Sequence, residues 1–335
     1  MKLLITGGLG FIGSNFVRYI LNKYPDDKVV NLDIVTYCAN FDNLKDIEDN
    51  PRYVFVKGDI GDKDLVDKIF REEKPNFVVN FAAASHVDRS ILEPELFVKT
   101  NVVGTQTLLE AARKYGIEKF EQISTDEVYG TIEQGQSKEG DNLLPNSPYA
   151  ASKAAADLLV RSYYKTFGLP VLTTRSSNNF GPYQYPEKVI PLFITNLLEN
   201  KKVPLYGTGK NVRDWIYVGD NCSGIDIVLR KGRIGEIYNI GGGNQITNLE
   251  LTKTILNELG RGDDCIEYVK DRPGHDFRYA LDTSKVGELG WQARYPFNDA
   301  VKETIKWYQK NSEWWQRIKS GEYSEYYKKQ YLERS

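Results

Sequence analysis

The chain has 335 residues, of which 41% are hydrophobic and 27% are charged, and its formal net charge is −2, values that predict a globular cytoplasmic protein of one large domain or two. The absence of a basic excess argues against nucleic-acid binding, and no apolar run approaches the ~20 residues that a membrane-spanning helix needs. Three widely spaced cysteines and two histidines favour reduced thiols and predict neither a disulfide framework nor a metal site.

A glycine-rich turn joins the first predicted strand to the first predicted helix. Residues 2–6 are an apolar run that leads into Gly8, Gly10 and Gly13, which satisfy the pattern G-x-G-x-x-G. Glycines at these positions let the backbone approach a pyrophosphate, which binds at the N-terminus of the following helix. We therefore predict a dinucleotide site at this turn; the alternative is a glycine-rich turn without a ligand.

Asp33 supports the prediction of a dinucleotide site and narrows the choice between NAD and NADP. It ends the second predicted strand, residues 29–32, about 20 residues after Gly13, where an acidic residue binds a ribose diol. Its charge would repel the 2′-phosphate of NADP, and residues 34–41 contain no Arg or Lys to compensate. The predicted cofactor is therefore NAD.

Strands and helices continue to alternate after this point. Predicted strands at residues 53–56, 77–81 and 120–124 are separated by predicted helices at residues 62–72 and 94–115. Alternation with this spacing predicts parallel βαβ units and hence an α/β fold with a Rossmann-type doubly wound parallel sheet. In such a sheet, ligands bind beyond the carboxyl ends of the strands.

Two adjacent carboxylates follow the fifth predicted strand. Asp126 and Glu127 come directly after Thr125, where that strand ends. Neighbouring side chains of a strand point to opposite faces, so both carboxylates reach one ligand only if the chain leaves extended geometry there. The alternative is an acidic turn that caps the next segment.

A tyrosine and a lysine begin the next predicted helix. Ser147 and Pro148 mark its start, and Tyr149 and Lys153 lie at positions i and i+4, on one helix face. A tyrosine becomes a usable base near neutral pH if a cation stabilises its phenolate. Lys153 would supply that cation, and a bound oxidised nicotinamide would add to its charge. The alternative for this common pair is a surface tyrosine beside a solvated lysine.

The regular alternation stops at about residue 181. Before it comes a sixth predicted strand at residues 171–175; after it come a helix to residue 200 and short strands at residues 203–207, 213–218 and 237–240. We predict an NAD-binding domain over residues 1–180, to which some later segments return, and a smaller α/β substrate domain over residues 181–335. Arg213 and Arg272 are candidates for holding phosphates, with surface salt bridges as the alternative. The aromatic-rich residues 297–331 are interpreted as a packing helix and tail.

The sequence resembles the extended short-chain dehydrogenase/reductase family. The glycine turn and the Tyr–Lys pair carry that resemblance over essentially the whole chain. Within the family, the dTDP-glucose 4,6-dehydratases are most similar in the segments STDEVYG, SPYAASK, SSNNFGPYQYPEKVIPLFI, NVRDWIYVGD and DRPGHD. Gly219 and Asn221 depart from the family pattern, in which an acidic residue and a histidine are more usual, but neither lies in a catalytic segment.

The resemblance implies a set of ligand contacts and a homodimer joined through the helices at about residues 94–115 and 149–167. The residues implied for NAD are Gly7, Gly10, Phe11, Ile12, Gly13, Asp33, Ile34, Val35, Thr36, Asp59, Ile60, Phe81, Ala82, Ala83, Ser85, Thr100, Tyr149, Lys153 and Asn179. The residues implied for a nucleotide-sugar substrate, dTDP-glucose, are Ser85, Thr125, Asn178, Lys188, Val189, Pro204, Leu205, Tyr206, Arg213, Asn248, Arg272 and His275.

The resemblance also implies a catalytic set of Thr125, Asp126, Glu127, Tyr149 and Lys153. Tyr149 would take the proton of the carbon-4 hydroxyl during oxidation by NAD, and Thr125 would orient the carbon-4 oxygen. Glu127 would then remove the carbon-5 proton while Asp126 protonates the leaving carbon-6 hydroxyl. Such elimination needs one carboxyl ionised and one protonated, a state that adjacent carboxylates in a closed site reach by splitting their pKa values.

Two other functions remain open on the sequence. A nucleotide-sugar epimerase of the same family would use Tyr149, Lys153 and NAD but has no need for Asp126 and Glu127. A non-catalytic NAD-dependent sensor would need only the cofactor contacts.

Overall fold

The computed structural model describes residues 1–271 and 274–320. Its strands are β1 (Lys2–Thr6), β2 (Lys28–Asp33), β3 (Tyr53–Lys57), β4 (Phe77–Asn80), β5 (Lys119–Thr125), β6 (Val171–Ser176), β7 (Asn178–Phe180), β8 (Val203–Tyr206), β9 (Val212–Tyr217), β10 (Ile237–Ile240), β11 (Asn244–Thr247) and β12 (Ile266–Val269). Its helices are α1 (Phe11–Lys23), α2 (Lys63–Glu73), α3 (Val87–Leu92), α4 (Pro94–Phe97), α5 (Thr105–Tyr115), α6 (Pro148–Phe167), α7 (Val189–Leu198), α8 (Val218–Lys231), α9 (Asn248–Glu258), α10 (Ser284–Gly287), α11 (Phe297–Lys310) and α12 (Ser312–Lys319).

A seven-stranded sheet forms the centre of the molecule. Its strand order is β3-β2-β1-β4-β5-β6-β10, and every neighbouring pair is parallel. The order reverses between β1 and β4, the position at which doubly wound sheets bind their ligands. The predicted Rossmann-type sheet is confirmed.

Both faces of this sheet are buried, as the continuous apolar strands require. Leu3 and Ile5 of β1 belong to one core with Phe16 of α1, whereas Leu4 belongs to a second core with Leu108 of α5 on the opposite face. The alternation of side chains along β1 therefore divides the apolar residues between two helical layers.

The predicted long helix at residues 94–115 is interrupted by a π-helical turn. Residues Val98–Gly104 form this turn between α4 and α5. Short π-helical turns inside α-helices often occur at functional sites, and this one carries Thr100, a predicted cofactor contact.

The second half of the chain builds a smaller layer but also returns to the large sheet. β11, β9 and β7 form a three-stranded sheet and β12 pairs with β8, while β10 is the edge strand of the seven-stranded sheet. α8 was not predicted, because Val218 was assigned to the end of a strand. Its buried residues Cys222, Ile225 and Leu229 pack in the same core as α1. The domain boundary at residue 181 stays a prediction.

Two further sequence predictions concern the last helices and membrane-spanning segments. α11 and α12 occupy most of the predicted packing helix at residues 297–331, and residues 321–331 lie outside the described part. Across residues 1–271 and 274–320, no helix combines the length and apolar character that crossing a bilayer requires.

Candidate active site

The glycine turn presents an uncapped helix end. α1 begins at Phe11, and its first turn contains no acidic residue and no side-chain cap. The amides of a first helical turn lack intrahelical acceptors and attract anions. A Cβ on Gly13 would lie 2.3 Å from the carbonyl oxygen of Gly7, and a Cβ on Gly7 (φ +69°) would lie 2.7 Å from the amide nitrogen of Ala82. The turn therefore requires glycine and fits a pyrophosphate.

We expect Gly13→Ala to weaken NAD binding severely and to destabilise the fold by about 1–3 kcal/mol, because the added methyl group overpacks the turn. Gly140→Ala is the matched control, since nothing lies within 4 Å of a Cβ at that position. Fluorescence titration with NAD and thermal melting measure both effects. Equal NAD affinity in the two variants would contradict the assignment of the glycine turn as part of the NAD site.

The loop after β2 is held by Asp33. Its carboxylate accepts hydrogen bonds from the amides of Leu9 (2.9 Å) and Val35 (2.8 Å). Burial raises the pKa of Asp33, while the two amides lower it. A carboxylate has about four acceptor positions, so acceptor capacity remains for a ribose hydroxyl. Val35 has φ +61°, a strained conformation for a β-branched residue and one that such sites often contain.

The loop after β4 is clamped by a residue that the sequence analysis missed. Asn101, in the π-helical turn, accepts from the amide of Ala84 (2.9 Å) and donates to the carbonyl oxygen of Ala84 (3.0 Å) and to Ser152 Oγ (2.8 Å). This clamp fixes residues 81–85 between the sheet and α6. No sequence pattern signalled it, because the three elements meet only in the folded chain.

The predicted cofactor residues lie along one edge of the large sheet. They follow the carboxyl ends of β1 to β4 or belong to α1, the π-helical turn, α6 and β7. Those not yet placed are Ile12 in α1, Ile34 and Thr36 after β2, Asp59 and Ile60 after β3, Phe81, Ala83 and Ser85 after β4, and Asn179 in β7. Their roles stay predictions.

A turn carrying two carboxylates follows β5. Residues Asp126–Tyr129, here called the carboxylate turn, form a 3₁₀ turn, so the chain leaves extended geometry where the two carboxylates require it. Thr125 Oγ1 accepts from the amide of Glu127 (3.3 Å) and donates to Asp126 Oδ1 (3.2 Å). The alternative of an acidic turn that caps the next segment does not describe this geometry, because Thr125, and neither carboxylate, caps the turn.

The two carboxylates have different environments. Asp126 is only 3% exposed, and burial, with additional effects of Glu127 and Asp214, raises its pKa well above the ordinary range. Glu127 is half-buried. The turn therefore favours the protonated form of Asp126 beside a more accessible carboxylate, the division that an acid–base pair needs.

Tyr149 and Lys153 begin α6, which Ser147 caps by accepting from the amide of Ala150 (3.1 Å). Burial and the nearby Glu127 raise the pKa of Tyr149, and a hydrogen bond with Thr125 lowers it. Burial lowers the pKa of Lys153 to about 8, and its Nζ donates to the carbonyl oxygen of Ile123 (2.5 Å).

The prediction for Tyr149 names two sources of positive charge, Lys153 and a bound oxidised nicotinamide, and it stays a prediction. Burial and the carboxylates outweigh the lysine in the protein itself, because a phenolate would be an additional anion in a poorly solvated, acidic site. A further positive charge next to Tyr149 is needed to make its phenolate accessible.

Most of the predicted substrate residues belong to the second half of the chain, and their roles stay predictions. Lys188 Nζ donates to the carbonyl oxygen of Ser85 (3.1 Å), and Tyr206 OH donates to Asp88 Oδ2 (3.3 Å). His275 Nδ1 lies 2.6 Å from Asp271 Oδ1. The remaining residues are Asn178 in β7, Val189 at the start of α7, Pro204 and Leu205 in β8, and Asn248 at the start of α9; Arg272 lies outside the described residues.

Arg213 is a predicted phosphate ligand, and that role stays a prediction. It is buried, and its guanidinium donates to the backbone carbonyl oxygens of Val212 (2.8 Å) and Asp276 (2.8 Å) and lies over the ring of Tyr279. Its charge also lowers the pKa of Asp126, which places it close to the carboxylate turn. A surface salt bridge is thereby excluded as the explanation of Arg213.

The comparisons with known proteins agree with this geometry. The family model for GDP-mannose 4,6 dehydratase matches residues 4–304. A dTDP-glucose 4,6-dehydratase of Streptomyces niveus is 51% identical over 325 residues, which cover 96% of each chain. The low-salt glycan biosynthesis protein Agl12 of Haloferax volcanii is 54% identical over 308 residues, which cover 92% of this chain and 98% of the relative. The crystal structure of dTDP-glucose 4,6-dehydratase from Bacillus anthracis in complex with NAD has a TM-score of 0.90 at 51% identity, and the match covers 95% of this chain and 99% of that chain.

The chain belongs to the dTDP-glucose 4,6-dehydratase family of extended short-chain dehydrogenases/reductases. The predicted resemblance is thus confirmed. For a member of this family, the carboxylate turn is the informative part of the site, since the Tyr–Lys pair and glycine turn serve many nucleotide-sugar enzymes. Three residues that the sequence analysis did not predict also act on the site: Asp214 on Asp126, Asp157 on Lys153 and Arg175 on Tyr129. Of these, only Asp157 had a spacing that could have indicated it, because it lies one helical turn after Lys153.

Proposed function

We propose that the protein dehydrates dTDP-glucose to dTDP-4-keto-6-deoxyglucose, with NAD as a cofactor that is regenerated in each cycle. The observation that carries this proposal is the carboxylate turn, where Asp126, buried and with a raised pKa, adjoins a more accessible Glu127 beside Tyr149. Oxidation and reduction of a sugar need only a base and a nicotinamide. Expulsion of water needs the added acid and base.

The fit to NAD is supported by the uncapped end of α1, the glycine turn and the acceptor capacity of Asp33. When bound, NAD supplies the hydride acceptor for oxidation at carbon 4, the hydride donor for reduction at carbon 6, and a positive charge in its oxidised form. Asp33, at the end of β2, would accept from a ribose hydroxyl. Its negative charge disfavours a 2′-phosphate.

The side chains divide the proton transfers among them. Tyr149 takes the proton of the carbon-4 hydroxyl, with Thr125 orienting the carbon-4 oxygen and Lys153 supplying positive charge. The ketone formed at carbon 4 acidifies the hydrogen on carbon 5. Glu127 removes that proton, and Asp126 gives its proton to the carbon-6 hydroxyl, which leaves as water. A proton returned to carbon 5 and the hydride returned to carbon 6 complete the product.

The mass of the product tests this function. Purified protein is incubated with dTDP-glucose, and separately with the uridine, cytidine and guanosine diphosphate sugars, and each product is weighed. We expect the loss of one water from dTDP-glucose. An unchanged mass with a changed sugar configuration would instead identify an epimerase, and no change with any sugar would favour the sensor.

We also propose that the protein is a homodimer joined through α6 and the helices from α3 to α5. Apolar side chains are exposed on both faces: Ile91, Leu92, Leu96, Val98 and Val103 on the first, and Leu158 (56% exposed) and Phe167 on α6. Large exposed apolar patches mark interfaces. A Leu158→Asp variant should sediment as a monomer, while Leu144→Asp, at an exposed loop leucine, should sediment as wild type. Identical sedimentation of both variants as dimers would contradict this interface.

Cytoplasmic location and a role in deoxysugar biosynthesis, including dTDP-rhamnose, complete the proposal. They are supported by the composition and by the family, and the 4-keto-6-deoxy product has the oxidation state from which deoxysugars are made. Loss of dTDP-linked deoxysugars from cells that lack the protein would support this role, and unchanged levels would contradict it.

A further inference from the structure

A buried ion pair connects the two catalytic elements. Arg175 Nε donates to Asp157 Oδ2 at 2.9 Å, and both side chains are at most 3% exposed. Arg175 lies on β6, next to β5 in the sheet, and Asp157 lies on α6. The pair therefore joins the sheet that ends in the carboxylate turn to the helix that carries Tyr149 and Lys153.

The guanidinium of Arg175 also holds the carboxylate turn itself. Its Nη1 donates to the hydroxyl of Tyr129 at 2.9 Å and its Cζ lies 4.8 Å from the centre of the Tyr129 ring. The Tyr129 hydroxyl in turn donates to Asn239 Oδ1 of β10 at 2.8 Å. Because Tyr129 is the last residue of the turn, these bonds fix the end of the segment that begins with Asp126.

The carboxylate of Asp157 acts on the other catalytic element. It lies one helical turn after Lys153, and its charge opposes the effect of burial on the pKa of that lysine. Other ionisable groups lie on the elements around the start of α6: Tyr149 on the helix itself, and Asp126 and Glu127 on the carboxylate turn. On α3, Asp88 accepts a hydrogen bond from Tyr206, and Arg89 donates one to Glu187. Among them, Asp157 is the anion that raises the pKa of Lys153.

Stability alone does not explain such a pair. Desolvation of two charges offsets much of their attraction, and apolar replacements of similar volume are often as stable or more stable. The hydrogen bonds to Tyr129 and the position beside Lys153 give the pair a use that an apolar contact would lack.

We propose that Asp157 and Arg175 are positioning residues of the active site, which hold the carboxylate turn and the Tyr149–Lys153 helix in one arrangement. This inference rests on the proposed function for its elimination step. An epimerase would share the oxidation step, so the rate of oxidation measures the effect on Lys153 whether the protein is a dehydratase or an epimerase.

The pH profile of Asp157→Asn tests the effect on Lys153. Lys153 acts while it is protonated, so activity falls as pH rises through its pKa. Removal of the Asp157 charge lowers that pKa further, and we expect the high-pH limb of the oxidation rate to move about one pH unit lower. Asp157→Glu should return the high-pH limb to its wild-type position. If the limb of Asp157→Asn lay at the wild-type position, the proposal would be overturned. A loss of stability alone does not shift the position of this limb.

Tyr129→Phe tests the hold on the turn while leaving the ion pair intact. We expect kcat for water loss to fall about tenfold, with reduced cofactor accumulating, because elimination slows while oxidation continues. Tyr238→Phe is the control, since its buried hydroxyl bonds to the amide of Arg233, outside this network. Equal kinetics in the two variants would overturn the proposal. A wild-type protein that removes no water from any nucleotide sugar would overturn the proposed function instead, and the Asp157 profile would still be measurable.

Discussion

Replacement of Glu127 by Gln should lower the rate of water loss by about 10³-fold, within the range typical of a lost general base. The amide keeps the size of the side chain but cannot take the carbon-5 proton. Oxidation at carbon 4 depends on Tyr149 and should continue, so reduced cofactor should accumulate during a single turnover. Stopped-flow absorbance of the reduced nicotinamide, with product mass from the same samples, separates the two steps.

Glu133→Gln is the matched control for this variant. Glu133 is an exposed glutamate on the loop that follows the carboxylate turn, so the same chemical change there should leave both steps at wild-type rates. If Glu127→Gln also formed product at the wild-type rate, Glu127 would not be the base of the elimination.

Tyr149→Phe should remove turnover by a different route. Loss of the phenol hydroxyl removes the group that takes the carbon-4 proton, and we expect oxidation to slow by about 10²–10⁴-fold. No reduced cofactor should accumulate, in contrast to Glu127→Gln, because the block comes before hydride transfer. NAD affinity should stay close to wild type, since the ring of Tyr149, which packs against Phe97, is kept.

A second tyrosine provides the comparison for Tyr149. Tyr268 is 60% exposed on β12, and Tyr268→Phe should leave every step unchanged. Rapid appearance of reduced cofactor in Tyr149→Phe would show that another group takes the carbon-4 proton.

The parts of the fold that depend on residues close together in the sequence could be predicted from the sequence. The glycine turn, the strand that ends at Asp33 and the alternation of strands and helices each follow from local patterns, and the sheet order agrees with them. β10 could not be assigned to the large sheet in this way, because Ile237–Ile240 pairs with β6 across a long stretch of chain. α8 was missed where its first residue continued an apolar strand pattern.

The same distinction applies to the site. The identities of Asp126, Glu127, Tyr149 and Lys153 could be predicted from motifs, but their protonation depends on burial, which motifs do not contain. Asp126 has a raised pKa because the folded chain covers it. Burial also raises the pKa of Tyr149, so its use as a base depends on positive charge nearby.

In the proposed function, the carboxylate turn makes this oxidoreductase site a dehydratase. Reaction of dTDP-glucose in heavy water, with the position of deuterium in the product determined by NMR, tests that claim most directly. We expect a product that has lost one water and carries solvent deuterium at carbon 5, with none incorporated when Glu127 is replaced by Gln. A product that retains its water, or one without deuterium at carbon 5, would contradict it.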